Sequence, residues 1–163
     1  MPEPPAPPEL DPATRRSLAI GLYNRAWQLL DMADRTPEQD DELAHAAHAS
    51  RYHWGEVGAP VNLARGEWQC SRVYAVLGRG EPALHHARRC LAILEAHTVD
   101  TDRGGAEDWD LAPACEALAR AHAVAGDRAG SDHWAARARE ACEAIADPAD
   151  REVIEQDLAT IPR

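Results

Sequence analysis

The stretch Glu67–Leu94, EWQCSRVYAVLGRGEPALHHARRCLAIL, decides the fold. Its centre, Leu77-Gly78-Arg79-Gly80-Glu81-Pro82, holds two glycines able to supply the positive φ that a helix C-terminus favours. The proline that follows suits the first turn of a new helix. Before this bend Cys70, Val73, Tyr74 and Leu77 recur at helical spacing, and after it Ala83, Leu84, Ala87, Cys90, Leu91 and Leu94 do the same. Small side chains at Ala83, Ala87 and Cys90 let two helix axes approach closely. The segment reads as two antiparallel helices joined by a short turn.

The pattern returns around Gly126. His122 stands in the place of Tyr74, Gly126-Asp127 in that of the turn, and Ser131, Ala135 and Ala138 in the small-residue places. Together the two copies resemble the tetratricopeptide repeat, a two-helix unit that stacks into arrays. The resemblance covers about residues 60–145 and rests on Tyr74 four residues before Gly78, on Ala83-Leu84, and on the small–large pair Cys90-Leu91. Gly78 and Gly126 lie 48 residues apart, where the family period is about 34; the polar segment between the copies absorbs the excess. Trp68 falls one residue late for the tryptophan of the family's first helix, and Cys115 is its counterpart in the second copy. The implied architecture is an all-α, tetratricopeptide-like (TPR-like) stack of antiparallel helical hairpins, about seven helices with a C-terminal capping helix.

Composition agrees with that reading. At 163 residues the chain suits one domain with a real core, placed here at 11–163. It has no phenylalanine, abundant alanine and five tryptophans, a mixture for closely packed helices, and no alternating β-branched runs of the kind strands need. A formal charge of −11 argues against non-specific binding to nucleic acid or to anionic lipid. Residues 1–10 are proline-rich and expected to be disordered, with no apolar run of a signal peptide or membrane span, so a cytoplasmic location is expected. Cys70, Cys90, Cys115 and Cys142 fall one per helix without a CxxC pair and read as small buried residues in a reducing compartment.

Taken in order, Asp11-Pro12 opens a first helix to about Ala33. It carries two apolar stripes, Leu18/Leu22/Ala26/Leu29 and Ile20/Tyr23/Trp27/Leu30, so two sides want cover. Thr36-Pro37-Glu38-Gln39 is a capping box for a second helix to about Val57, with Leu43, Ala46, Ala47, Ser50, Trp54 and Val57 on one face. Helices follow at about 60–77 and 81–97. Thr98 to Glu107 reads as a mobile polar loop, and Asp108 or Asp110 as the cap of a fifth helix ending at Gly126. A sixth runs from about Arg128 to Ala146. Asp147-Pro148 launches a seventh, whose stripe Val153, Ile154, Leu158 and Ile161 looks like the lid a repeat array needs at its end.

The resemblance implies that the first helix of each pair lines a concave wall. The matching positions are Arg65, Trp68 and Arg72, then Glu116 and Arg120. Arg72 and Arg120 take equivalent places in the two copies and are expected to be neighbours. Two guanidinium groups side by side repel unless an anion sits between them, and their forks match a carboxylate or phosphate. Asn24 and Gln28 of the first helix extend the wall. Members of the family often grip the acidic C-terminus of a peptide there, and this arrangement is similar. The competing reading pairs these arginines with the chain's own carboxylates, Glu67 and Glu116 included.

Asp41, His45, His48, Tyr52 and Glu56 share an arc of about 80° on the second helix, opposite its core face. A carboxylate and two imidazoles one turn apart suit a divalent transition metal, and a solvated outer face is the rival reading. His53 reads as packing and His122 as a core histidine. His85, His86, Arg88 and Arg89 read as a solvated basic face. There is no glycine-flanked serine, no cysteine with a histidine–acid pair and no phosphate-binding glycine loop. The expectation is therefore a non-catalytic binding module, without cofactor, holding a peptide segment, protein partner or small anionic ligand. The alternatives are a metal-binding protein or metalloenzyme built on Asp41, His45 and His48, and a homodimer joined through its outer faces.

Overall fold

A computed structural model describes residues 9–97 and 105–163. Among them are seven helices and no strand: α1 (Pro12–Leu30), α2 (Pro37–Val57), α3 (Pro60–Val76), α4 (Gly80–His97), α5 (Leu111–Val124), α6 (Arg128–Glu143) and α7 (Pro148–Ala159). Residues 1–8 of the expected disordered N-terminus and 98–104 of the expected loop lie outside the described residues.

Local chemistry accounts for most helix ends. The Asp11 carboxylate accepts from Thr14 N at 3.0 Å and opens α1. Thr36 and Gln39 form the reciprocal capping box of α2, at 2.9 and 3.3 Å. Asp127 and Asp147 cap α6 and α7 through the backbone amides of Gly130 and Ala149. Each such cap is worth about 1 kcal/mol. The two bends are closed alike: Gly78 and Gly126 have φ of 71° and 79°. Arg79 N donates to Tyr74 O, and Asp127 N to His122 O, at 2.8 and 2.9 Å. This is the Schellman pattern, and only glycine adopts the required left-handed turn without strain.

Two expectations are corrected. Gly80 does not take a positive φ; it opens α4, and a Cβ there would stand 2.7 Å from the Ala125 backbone. Its role is close approach between the start of one hairpin arm and the end of α5. Neither candidate aspartate caps α5. Asp110 has helical backbone and makes no side-chain cap bond, because its carboxylate takes Glu107 N and the guanidinium of Arg65. Asp108 instead accepts from Ala146 N at the end of α6.

The helices pack as three antiparallel pairs, α1–α2, α3–α4 and α5–α6, stacked so that α2 meets α3 and α4 meets α5. The first helices of successive pairs touch, α1 with α3 and α3 with α5, and α7 continues that row against α5 and α6. In this middle position every residue of α5 from Ala112 to Ala121 is buried, Glu116 and Arg120 included. Small residues make this possible, since an alanine-rich helix can be enclosed on all sides at short axis separations. At the far end Ile154 and Leu158 of α7 pack on Cys115, Ala138, Cys142 and Ile145, so α7 is the lid the stripe suggests. Val153 of that stripe points to solvent. On α1, Ala26 and Leu29 are buried, Tyr23 and Trp27 are half-buried, and Leu18 and Ile20 remain exposed.

Candidate functional site

The inner wall formed by α1, α3, α5 and α7 brings the candidate side chains into one row. Trp27 of α1 lies against Trp68 of α3, ring centroids 5.3 Å apart, and Tyr23 meets Trp27 edge-on at 6.2 Å. Asn24 and Gln28 lie exposed on the same helix, and neither side chain has a hydrogen-bond partner among the described residues. Arg65 forks onto the Asp110 carboxylate at 2.9 and 3.0 Å, reaches Glu107 at 3.0 Å, and covers the Trp109 ring at 4.3 Å. Asp110 is 4% exposed, so this fork neutralises a charge that burial would otherwise penalise.

Arg72 and Arg120 do meet across α3 and α5, and the anion between them is Glu116. Arg120 donates from Nε to Glu116 Oε1 at 2.7 Å, one turn back on its own helix. Arg72 Nη2 lies 3.8 Å from Glu116 Oε2 and 2.5 Å from the Asp157 carboxylate. Arg120 also donates to the Asp157 carbonyl and to the Thr160 hydroxyl, both at 2.8 Å. Both guanidinium groups are thus held by carboxylates of this chain, and through Asp157 and Thr160 they pin the end of α7 to the wall. Three groups on this wall nonetheless lack partners in the protein: Trp68 Nε1, Arg72 Nε and Gln69 Oε1 are buried without a hydrogen bond.

A second cluster of charge joins α2, α3 and α4. Glu67, 3% exposed, accepts from Arg51 at 2.9 Å and from Arg89 at 3.2 Å, and lies 2.6 Å from His86 Nδ1. Burial raises its pKa, but the His86 hydrogen bond and the Arg51 and Arg89 partners outweigh that and bring it down to about 2. The Tyr74 ring stacks on His86 with planes 8° apart, and its hydroxyl meets His48 Nε2 at 2.8 Å. His48 and His86 rings are 5.2 Å apart. Burial, and then the nearby charge of His86, pushes the His48 pKa down. His86 therefore turns inward and Arg89 reaches Glu67 while its side chain stays half-exposed, whereas His85 and Arg88 are exposed as a solvated face requires.

No known family model, curated protein or solved structure matches this chain. Its chemistry rests on the geometry alone. On α2, His48 turns to Tyr74 and His86 instead of converging with Asp41 and His45. Among the described residues no group of three or more His, Cys, Asp or Glu side chains is placed to hold a metal ion. His122 is tied to Asp127 at 2.8 Å beside the second bend. The four cysteines are buried and free. Desolvation pushes the Cys70 thiol up to about 12 and Cys115 up to about 11, so neither offers a thiolate at neutral pH.

The sequence did not single out Glu67 as a centre. Its one local signal is Gly66, a helix-interior glycine where a Cβ would stand 2.9 Å from Arg51 Cδ. The missing side chain lets Arg51 lie flat across α3 and reach the carboxylate next door.

Proposed function

We propose that this chain is a non-catalytic, TPR-like interaction module that holds an extended peptide segment on the wall of Asn24, Gln28 and Trp68. The observation that carries this reading is the pair of exposed side-chain amides of Asn24 and Gln28, neither with a hydrogen-bond partner among the described residues. An amide offers both a donor and an acceptor, the complement of a peptide backbone unit. The half-buried rings of Tyr23, Trp27 and Trp68 beside them supply apolar contact at low entropic cost. Arg65, Arg72, Glu116 and Arg120 act in this reading as the rigid frame of the wall, since their charges are matched internally. A frame that is already ordered leaves little conformational entropy to lose on binding. Free buried cysteines favour a reducing, cytoplasmic setting, and no helix among the described residues is long and apolar enough to cross a membrane.

The test is a peptide-display selection followed by calorimetry on the selected sequences. The Asn24→Ala, Gln28→Ala double variant alters only exposed side chains, so its melting temperature should match the wild type. Its affinity for selected peptides should fall by about tenfold, the loss expected when two hydrogen bonds of ordinary strength go. Equal affinity in the two proteins would move the peptide off this wall and end the reading.

A further inference from the structure

All 17 cationic side chains of this chain are arginine. Most are engaged. Among the described residues Arg88, Arg139 and Arg163 alone make no ion pair, hydrogen bond or ring contact. Two of these three, Arg139 and Arg163, line one cavity of about 390 Å³ between α6, the end of α7 and the residues after it. A third arginine, Arg128, joins them there; its own partner, Asp132, stands 4.0 Å away, and both of those side chains are about three-quarters exposed. Such an exposed pair contributes little, so the Arg128 guanidinium remains available.

The arrangement follows from helix geometry. Residues 128, 131, 135 and 139 are spaced by three and four along α6 and present one face. Arg128 and Arg139 have Cα atoms roughly 16 Å apart along that face, which their long side chains can span from both ends. Between them lie Ser131, only 7% exposed and making no side-chain hydrogen bond, and an apolar floor of Ala135, Leu158 and Ile161. Three guanidinium groups and the single side-chain carboxylate of Asp132 line this cavity in a chain whose net charge is −11. The overall field disfavours a large polyanion, while the local forks favour a single oxyanion.

We propose that this cavity binds a small organic oxyanion, a carboxylate or phosphate ester whose charged head meets Arg128 and Arg139 and whose apolar body lies on the Leu158/Ile161 floor. The site is independent of the peptide wall and shares no residue with it. Sequence spacing pointed to paired arginines at 72 and 120; those are closed by Glu116, and the open arginines are these.

Two probes, phenyl phosphate and phenylacetate, separate the two kinds of head group. Calorimetry on the wild type should give saturable binding of at least one, with a shift of the Arg139 Nε resonance in the nitrogen spectrum. The tighter of the two names the head group. The Arg128→Gln, Arg139→Gln double variant should bind about tenfold or more weakly with an unchanged melting temperature, because both side chains are exposed and carry no structural bond. Arg88→Gln, which removes an equally free arginine elsewhere, should leave binding intact. The proposal is overturned if neither probe saturates, if the double variant keeps wild-type affinity, or if Arg88→Gln weakens binding as much.

Discussion

Glu67 on α3 and Glu116 on α5 are both almost fully buried, at 3% and 1% exposure, and both belong to first helices of successive hairpins. Their surroundings differ in kind. Glu116 is held by two arginines, and the cluster faces the inner wall, where it fastens the lid helix α7. Glu67 is held by two arginines and an imidazole, and it faces the second helices α2 and α4. One site is a clamp at the end of the stack, and the other is a knot between its first two hairpins. Burial alone does not tell what a charge does; the identity of the partner donors and the elements they come from do.

The clamp should show the largest effect. In Glu116→Ala, Arg120 loses its Oε1 partner at 2.7 Å while remaining enclosed, and Arg72 keeps only Asp157. Removing one member of a buried ion cluster costs about 3–5 kcal/mol, because a desolvated charge is left behind. Urea melts should report that loss, together with earlier hydrogen exchange in α7, since Arg120 holds the carbonyl of Asp157 and the Thr160 hydroxyl. A loss under about 1 kcal/mol would mean that Asp157 alone suffices for both arginines, and the contrast between the two glutamates would shrink.

The knot is distinguished by its pH dependence. Glu67 has a folded pKa of about 2, well below the ordinary glutamate value of 4.5. A depressed carboxylate pKa stabilises the fold above the unfolded value and loses that contribution as pH falls through the folded one. The stabilisation is therefore complete above about pH 5 and disappears between about 4.5 and 2, and it amounts to about 3 kcal/mol. Glu67→Gln, which imitates the protonated acid, should lie about that far below the wild type at pH 6 and converge with it toward pH 2. Stability curves of the two proteins that run parallel across this range would show that Glu67 is not the group responsible.

These two sites were not equally legible. The clamp could be read because Gly78 and Gly126 mark equivalent bends, so residues 48 positions apart fall at equivalent places, and Arg72 and Arg120 must meet if the hairpins stack. The reading that paired these arginines with the chain's own carboxylates named Glu116 among them; what periodicity could not supply was the second carboxylate. Glu116 lies one turn from Arg120, but Asp157 comes from α7, whose docking angle no local pattern encodes. The knot was hidden for a different reason. His86 and Arg89 lie beside His85 and Arg88, and only the crossing of α4 over α3 decides which pair reaches Glu67. Gly80 taught a similar lesson, since a glycine beside a bend suggests positive φ whether the demand is conformational or, as here, for room against Ala125. The open arginines of α6 and the residues after α7 depend on where the last helix ends, which again is tertiary.

The smallest effect expected is at Tyr74, and it sharpens the comparison by asking how far the knot extends beyond Glu67. Tyr74 does three things. Its carbonyl closes the first bend by accepting from Arg79 N, its ring stacks on His86 and lies 5.1 Å from the Arg79 guanidinium, and its hydroxyl meets His48. Tyr74→Phe keeps the first two and removes only the third. His48 is exposed enough to find water in exchange, so the loss should be no more than about 1 kcal/mol, the net value of one ordinary hydrogen bond. A thermal melt that costs twice that would show that the hydroxyl fixes the approach of α2 to α3, making His48 a member of the knot in its own right. A loss within the expected range confines the knot to Glu67 and its three donors.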